Sequence, residues 1–291
     1  MKVRVITSIV AIIGIFPFFW LSDPVGLENP LHYVFPLLIS AIAFVCTWEL
    51  LHCLDLERNY ALAAPLYLAA ICFPMLARVM YNWIDDFIRV AILTIMVLII
   101  YVFAILVFRF GKVDEGKLAL CFVMAVYVIG SFSAIVILRN STEVPAAGRY
   151  LFLMPFVFSW TTDTFAYFAG RLFGKHKLIP QVSPKKTVEG SIGGVVFCVA
   201  TACLYGFIVK LTFKDVEPNY VALVVGGLLS SVVSQIGDLV MSAVKRQNGI
   251  KDFGIFLPGH GGLLDRFDSS IAVTVLLVVI NSVYPFFGAI A

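Results

Sequence analysis

The sequence predicts an all-α integral membrane protein, a polytopic bundle of about nine transmembrane helices. Of its 291 residues, 61% are hydrophobic and 13% are charged, about half the charged fraction of a soluble domain. The mean hydropathy is +0.98, so a water-soluble fold would expose more apolar surface than its cores could bury. An ordinary soluble enzyme is therefore excluded. The net charge of +3, without a basic stripe interleaved with aromatic residues, also argues against a nucleic-acid partner.

Nine apolar runs approach the roughly 20 residues that an α-helix needs to cross a bilayer. The first resembles a signal peptide, but its end lacks a small-x-small cleavage site, so we expect it to be retained. The third is short and contains two prolines, which a membrane helix tolerates only where neighbours satisfy the freed backbone groups. The runs are Val3–Leu21, Leu31–Leu51, Ala61–Leu76, Val90–Phe108, Leu118–Leu138, Leu151–Phe168, Ser191–Leu211, Val221–Val240 and Ile271–Phe287.

Lys and Arg residues are distributed unevenly among the segments between these runs. With a cytoplasmic N-terminus, the cytoplasmic segments hold 15 of them and the opposite segments hold 6. Because basic residues are enriched in cytoplasmic loops, the sequence predicts an N-in, C-out orientation. We expect a single membrane domain over residues 1–291. Residues 1–150 would form N-terminal spans, and residues 151–291 would form a catalytic portion with cytoplasmic loops 169–190 and 241–270.

The first of two polar stretches begins inside the sixth run, at Asp163. A carboxylate within the membrane is costly unless it is paired, hydrated or bound to a cation. Asp163 is therefore either a functional residue or the partner of a basic residue on a neighbouring helix. The loop that follows it holds five Lys and Arg residues between Gly170 and Gly190. This loop either binds phosphate or carries the ordinary positive charge of a cytoplasmic segment.

The second polar stretch begins in the eighth run. Four polar residues recur at helical spacing and share one face of the predicted helix: Ser234, Asp238, Ser242 and Lys245. A charged loop with a His-Gly-Gly run then leads to Asp265 and Asp268, three residues apart. Carboxylates interleaved with Lys and Arg suit a complex of Mg²⁺ with a polyphosphate, since hard oxygens bind the metal and cations bind the phosphates. The glycine motifs of P-loop and Rossmann nucleotide sites do not occur in the sequence.

These stretches resemble the phosphatidate cytidylyltransferases, also called CDP-diacylglycerol synthases. The family's C-terminal pattern is Ser-x-hydrophobic-Lys-Arg, four residues, Lys-Asp, and then Pro-x-His-Gly-Gly-x-x-Asp-Arg-x-Asp. The segments around Asp163, Gly170–Lys175 and Ser183–Thr187 also match, so the resemblance covers the chain from about residue 160. The C-terminal pattern is matched without departure by Ser242, Lys245, Arg246, Lys251, Asp252, Pro258, His260, Gly261, Gly262, Asp265, Arg266 and Asp268.

The resemblance implies a reaction in which CTP and phosphatidic acid give CDP-diacylglycerol and pyrophosphate. It implies a requirement for Mg²⁺ and a homodimer in the bacterial inner membrane, and leaves a second cation open. The expected metal ligands are Asp238 and Asp265, with Asp163 and Asp268 in a secondary or supporting role. The expected catalytic residues are Asp238, Asp265, Lys245, Arg246, His260 and Arg266. The expected substrate-binding residues are Lys185, Lys186, Ser183, Lys251, Ser242, Asp163, Gly261 and Gly262.

Three alternatives stay open at the level of sequence. His260 either donates a hydrogen bond to the leaving pyrophosphate or only locks the glycine turn. A CTP-dependent lipid kinase would transfer the γ-phosphoryl group instead of CMP. A secondary transporter would also show many spans and an intramembrane Asp, although its polar residues would gather at the midplane rather than at one face.

Overall fold

Residues 30–141, 145–254, 256 and 261–289 are described by a computed structural model. Short 3₁₀ helices at Pro30–Tyr33 and Tyr81–Trp83 precede two of the long helices. In chain order the described residues form α1 (Val34–Cys53), α2 (Tyr60–Val79), α3 (Ile84–Phe108), α4 (Glu115–Asn140), α5 (Pro145–Phe173), α6 (Val188–Thr212), α7 (Tyr220–Gln247) and α8 (Leu264–Val283).

Two small antiparallel strand pairs accompany these helices and were not predicted. Strand β1 (Lys177–Ile179) pairs with β2 (Ser183–Thr187) in the segment between α5 and α6. Strand β3 (Val216–Pro218) pairs with β4 (Phe287–Ala289), which follows α8. The strands are too short to change the class of the fold, so the all-α prediction is confirmed.

Seven described helices are long and apolar enough to cross a membrane: all of those named above except α5. Helix α5 carries Arg149, Asp163 and Arg171 along its 29 residues. The first predicted run, Val3–Leu21, lies outside the described residues. The prediction of a multi-pass helical membrane protein is therefore confirmed at the level of its class. The count of nine spans and the orientation stay predictions.

The ends of the helices differ from the predicted runs where polar residues join a helix. Helix α8 begins at Leu264, before the predicted start at Ile271, because the polar motif forms its first turns. Helix α3 begins at Ile84, and the two Asp residues that follow lie in its first turn. Negative charge is favoured there by the helix dipole. Hydropathy alone finds the apolar part of a helix and omits such polar turns.

The chain packs as two compact units. Among the described residues, the first comprises those up to Val136 and those within Asp252–Asp265, and the second comprises those within Ile137–Lys251 and those from Arg266 onward. The division at residue 150 into N-terminal spans and a catalytic portion stays a prediction. The loop segment 252–265, which the sequence groups with the C-terminal half, packs with the first unit.

In the first unit, the connections α1–α2 and α3–α4 lie at the same end. Lys117 Nζ pairs with Asp55 Oδ2 at 3.1 Å, and Arg109 Nη1 donates to Asn59 Oδ1 at 2.9 Å. Helices α2 and α3 therefore run in opposite directions between these loops. Helix α3 leaves large apolar side chains such as Phe103 exposed, which is typical of a helix that faces lipid.

In the second unit, helices α5, α6, α7 and α8 enclose a core of apolar side chains that includes Phe158, Leu223 and Leu277. Small residues allow the backbones to approach closely, as is common in membrane bundles. A Cβ at Gly194 would lie 3.0 Å from the Thr162 carbonyl oxygen, and a Cβ at Gly237 would lie 3.1 Å from the Asp268 carbonyl oxygen. This close packing brings the polar segments of the four helices together.

Candidate active site

The end of α5 and the start of α6 cross closely beside the β1–β2 pair. Thr187 caps α6, since its Oγ1 accepts a hydrogen bond from Gly190 N at 3.2 Å. A Cβ at Gly170 would lie 2.7 Å from this oxygen, and a Cβ at Gly190 would lie 2.6 Å from the Ala166 carbonyl oxygen. Only glycine permits such an approach. The basic loop that follows α5 is therefore held against the start of α6.

Glu189 fixes the beginning of the basic loop, directly after α5. Its carboxylate accepts hydrogen bonds from Lys175 N at 3.1 Å and His176 N at 3.2 Å, and it contacts His176 Nδ1 at 2.6 Å. An acidic residue in the first turn of α6 is also favoured by the helix dipole. The loop from Gly174 to Lys177 is thus tied to the helix by a side chain as well as by the strand pair.

A cavity of about 320 Å³ opens between α5, β2, α6 and α7. That volume is at the lower end of the range for small-molecule sites, roughly 300–1,000 Å³. It combines three cationic side chains with two carboxylates, so it suits an anionic ligand. The cavity is lined by Asp163, Ala166, Tyr167, Gly170, Arg171, Leu178, Lys185, Lys186, Thr187, Gly190, Ser191, Gln235 and Asp238.

The two polar stretches of the sequence meet at an ion pair in this cavity. Lys186 Nζ, from β2, contacts Asp238 Oδ2, from α7. Both side chains are about three-quarters buried, with 25% and 26% of their surface exposed. Ser242 Oγ lies 3.5 Å from Asp238 Oδ1, one turn farther along α7. The predicted polar face of this helix is confirmed for these residues.

Ser269 connects two further carboxylates. Its Oγ lies 3.3 Å from Asp163 Oδ2 and 3.4 Å from Asp268 Oδ1, and its backbone N donates to Asp268 Oδ1 at 2.8 Å. Both Asp163 and Asp268 also interact electrostatically with Asp238. Three of the four predicted metal-binding carboxylates therefore lie in one polar cluster of the second unit.

The predicted cations differ in their surroundings. Lys185 is exposed at the cavity, whereas Lys245 is only 7% exposed and interacts electrostatically with Asp268. Arg246 is exposed, and its Nη1 donates to the Ile250 carbonyl oxygen at 3.1 Å, which helps to fix the turn after α7. Lys251 is exposed at the end of that turn. Two predicted residues remain: Ser183 begins β2 and Arg266 is exposed in the first turn of α8.

Asp265 belongs to the first unit, where it organises the loop before α8. Its Oδ2 accepts hydrogen bonds from Phe253 N at 2.8 Å and Gly262 N at 3.0 Å. Gly261 adopts a φ of +88° and packs against the Asp252 side chain, which explains the glycine. His260 and Pro258 lie outside the described residues, so the two alternatives for His260 stay open.

Several cavity residues were not predicted as site residues. Arg171 and Thr187 fall within matched family segments, so the motif could have indicated them. Gln235 lies three residues before Asp238 on the same helix, and Ser191 Oγ donates to its Oε1. Gln235 Nε2 lies 3.4 Å from the Ser191 carbonyl oxygen. Tyr167 lies four residues after Asp163, and this helical spacing indicates a shared face. Ser191 carries no signal that separates it from other residues of apolar helices.

The carboxylate cluster has the donor chemistry that Mg²⁺ prefers, because all its ligands would be hard oxygens. Over residues 30–141, 145–254, 256 and 261–289, no group of three or more His, Cys, Asp or Glu side chains is arranged to hold a metal ion. This is compatible with the usual Mg²⁺ site, in which one or two carboxylates act together with substrate phosphates. One or two of the residues Asp163, Asp238 and Asp268 have the chemistry for such a site.

The apolar helices and the cation-rich cavity define a multi-pass membrane protein with a polar site between its helices. The chain belongs to the cytidylyltransferase family, whose sequence profile matches residues 2–284. Its relatives include staphylococcal proteins named phosphatidate cytidylyltransferase. The protein of Staphylococcus saprophyticus is 32% identical over 280 residues, that of S. haemolyticus 34% over 281 and that of S. aureus strain COL 34% over 284. Each alignment covers 96% of this chain and 98% of the relative.

Proposed function

We propose that this protein is a phosphatidate cytidylyltransferase, which transfers CMP from CTP to phosphatidic acid and releases pyrophosphate. Its family and the names of its relatives support this function. The structural observation that carries the proposal is the cavity in which Lys185, Lys186 and Arg171 accompany Asp163 and Asp238. Such a site suits phosphate groups of a soluble nucleotide, while the acyl chains of the lipid remain in the bilayer.

The transfer is a nucleophilic substitution at phosphorus. A phosphate oxygen of phosphatidic acid attacks the α-phosphorus of CTP and forms a new P–O–P linkage. The bond between the α-phosphorus and the bridging oxygen to the β-phosphate breaks, and its electron pair leaves with pyrophosphate. Since the nucleophile is already an anion, charge neutralisation and positioning matter more than a general base.

The proposed roles follow from where the cations lie. Lys185, Lys186 and Arg171 line the cavity and would bind the phosphates. Lys245 would balance the charge of the Asp268 cluster. Arg246, Lys251, Arg266 and Ser183 are proposed substrate-binding or catalytic residues on the strength of the motif, and so is His260.

Mg²⁺ is proposed as the cofactor, with Asp163, Asp238, Asp265 and Asp268 as the residues that would hold it. The ion would screen phosphate repulsion and stabilise the charge that develops on the leaving group. Lys186 already balances Asp238 within the protein. The cations that line the cavity would bind and orient the phosphates.

The site is proposed to face the cytoplasm, with N-in and C-out orientation and nine spans, in a bacterial inner membrane. The distribution of Lys and Arg supports this orientation. The cavity lies at the end of the second unit opposite to the β3–β4 pair, because α6 and α7 each run between these ends. A homodimer is proposed from the resemblance alone.

The deciding experiment supplies purified protein with phosphatidic acid, Mg²⁺ and CTP labelled at either the α- or the γ-phosphorus. Label from the α position should enter the lipid, and label from the γ position should leave as pyrophosphate. Transfer of γ-label to the lipid would identify a lipid kinase instead. Absence of any CTP cleavage, with substrate-dependent uptake into vesicles, would identify a transporter.

A further inference from the structure

Glu49 is a buried carboxylate in the first unit, and it lies about 200 residues before the C-terminal family pattern. Glu49 is near the C-terminal end of α1, and its side chain is 0% exposed. Glutamate is almost never fully buried unless its charge is paired or hydrogen-bonded. Helix α1 is also one of those apolar enough to cross a membrane, where an isolated charge is costly. Glu49 therefore needs partners that compensate for its burial.

Two backbone amides at the start of α8 are these partners. Leu263 N donates to Glu49 Oε1 at 2.8 Å, and Leu264 N donates to Glu49 Oε2 at 2.7 Å. The first N–H groups of a helix have no acceptor within the helix, and the helix dipole favours a negative charge beside them. Each carboxylate oxygen thus satisfies one amide that α8 itself leaves without an acceptor.

Two glycines give the carboxylate room. A Cβ at Gly254 would lie 2.7 Å from Glu49 Oε1, and a Cβ at Gly262 would lie 2.8 Å from both carboxylate oxygens. The three atoms nearest to the hypothetical Gly254 Cβ all belong to Glu49. Gly262 is part of the family pattern, and the structure explains it by the packing of Glu49 against the backbone.

We propose that Glu49 is a positioning residue for the transfer reaction, holding the start of α8 and, through it, the Asp265 carboxylate. Asp265 Oδ2 accepts hydrogen bonds from Phe253 N and Gly262 N in the same loop. Asp265 thus binds the amide of Gly262, and Glu49 binds the amides of the two residues that follow Gly262. This inference rests on the proposed function, in which Asp265 acts at the reacting phosphates. Because the amides of Leu263 and Leu264 donate to Glu49, they do not bind the triphosphate.

Hydrogen exchange tests the anchor independently of activity. In Glu49→Gln, one of the two amides faces an NH₂ group instead of an acceptor oxygen. Exchange of the Leu263 and Leu264 amides should become about tenfold faster or more, the factor expected when a hydrogen bond to a charged group is lost. The control is Thr47→Val, because Thr47 is equally buried in α1 but donates to Ala43 O of its own helix at 2.7 Å. It should leave these amides unchanged.

Kinetics test whether the anchor matters for catalysis. In Glu49→Gln, kcat should fall about 10- to 100-fold, since misplacing a reacting group by about 1 Å can cost that much. The KM for CTP should change much less, because the cations that line the cavity are intact. Glu49→Asp should recover part of the lost kcat. Thr47→Val should keep the wild-type kcat.

A double-mutant cycle keeps the test valid even if one variant is poorly stable. Gly254→Ala should lower kcat in the wild-type background, where its methyl group meets the carboxylate. It should add little in the Glu49→Ala background, because the obstructing atoms are gone. Gly130→Ala is the control, since a Cβ there has nothing within 4 Å.

The outcomes separate the two proposals. Unchanged exchange in Glu49→Gln, or faster exchange with wild-type kcat, would overturn the positioning role. Additive effects of Gly254→Ala and Glu49→Ala would overturn it as well. If the wild-type protein makes no CDP-diacylglycerol, the proposed function fails and the positioning role fails with it, whereas the exchange result still decides whether Glu49 anchors α8.

Discussion

At the scale of single residues, the charge at the cavity is balanced by contacts between distant parts of the chain. Lys186 pairs with Asp238, and Ser269 connects Asp163 with Asp268. Burial strengthens such contacts because fewer water molecules screen them. The individual side chains of this cluster are therefore expected to affect turnover more strongly than exposed charges elsewhere.

Replacing Lys186 with Met should lower kcat/KM for CTP about 100-fold, the loss typical when one charge-stabilising group is removed from an active site. The substitution keeps most of the length of the side chain but removes the cation beside Asp238. The measurement is the transfer of label from the α-phosphorus of CTP to lipid. Near-wild-type kcat/KM would contradict the proposed role.

The matched control is Lys210→Met. Lys210 pairs with Glu217 at 2.8 Å, and both side chains are about half exposed. Exposed ion pairs contribute only about 0–1 kcal/mol to stability. Lys210→Met should therefore leave kcat/KM unchanged and alter the melting temperature only slightly.

Asp265 combines a structural contact with its proposed metal-binding role, and two substitutions can separate them. Asp265→Asn keeps a carbonyl oxygen that can accept from Phe253 N and Gly262 N, but it removes the negative charge. It should lower turnover about 100-fold or more while the melting temperature stays close to that of the wild type. Asp265→Ala removes the acceptor too, and should lower both.

Turnover near the wild-type rate in Asp265→Asn would remove Asp265 from the metal-binding set. A melting temperature equally low in both variants would show that the charge itself is needed for folding of the loop. Differential scanning fluorimetry in detergent and the labelled-CTP assay provide the two measurements.

At the scale of secondary-structure elements, the crossing of α5 and α6 depends on glycines. The Ala166 carbonyl oxygen would lie 2.6 Å from a Cβ at Gly190. Gly→Ala within a helix usually stabilises by about 0.5–1 kcal/mol, whereas overpacking costs about 1–3 kcal/mol. The second effect is larger here because the obstructing atom belongs to the backbone and cannot rotate away.

Gly190→Ala should therefore lower the melting temperature, by about 2–6 °C for a chain of this size. Gly130→Ala is the control, since it lies in α4 with open space around the site. It should leave the melting temperature unchanged or raise it. A Gly190→Ala protein as stable as the wild type would show that α5 and α6 can separate without loss.

Much of the cavity could be predicted because its signals are local. Asp163 is unusual within an apolar run, and the helical spacing of Asp238, Ser242 and Lys245 indicates a common face. The role of Glu49 could not be predicted, because a single acid at the end of an apolar run looks like an interfacial residue. Its partners are 214 and 215 residues away in the sequence. The strands are only three to five residues long, so the sequence shows no detectable alternation there.

At the scale of the whole molecule, contacts within each unit constrain which loops share a membrane face. The pairing of Lys117 with Asp55 brings the α1–α2 and α3–α4 connections together. The β3–β4 pair does the same for the α6–α7 connection and the segment after α8. These contacts agree with the alternation of the predicted spans, and an accessibility measurement can decide which face is cytoplasmic.

Single cysteines introduced at Lys112 and Lys214 test the orientation. Both positions are exposed, in the α3–α4 and α6–α7 connections. In spheroplasts, a membrane-impermeant maleimide should label Lys214→Cys directly and Lys112→Cys only after permeabilisation. The background should have the six native cysteines replaced, although four of them are buried. The reverse pattern would contradict the N-in prediction.

The contact between Glu49 and the start of α8 also constrains how the protein is assembled during synthesis. Its two hydrogen bonds connect Glu49 with Leu263 and Leu264, over sequence separations of 214 and 215. At the usual elongation rate of about 5–20 residues per second, α1 leaves the ribosome about 10–40 s before its partners exist. During that interval the carboxylate must stay hydrated or be shielded by the insertion machinery. The N-terminal unit therefore reaches its final packing only late in translation, after residue 264 has been made.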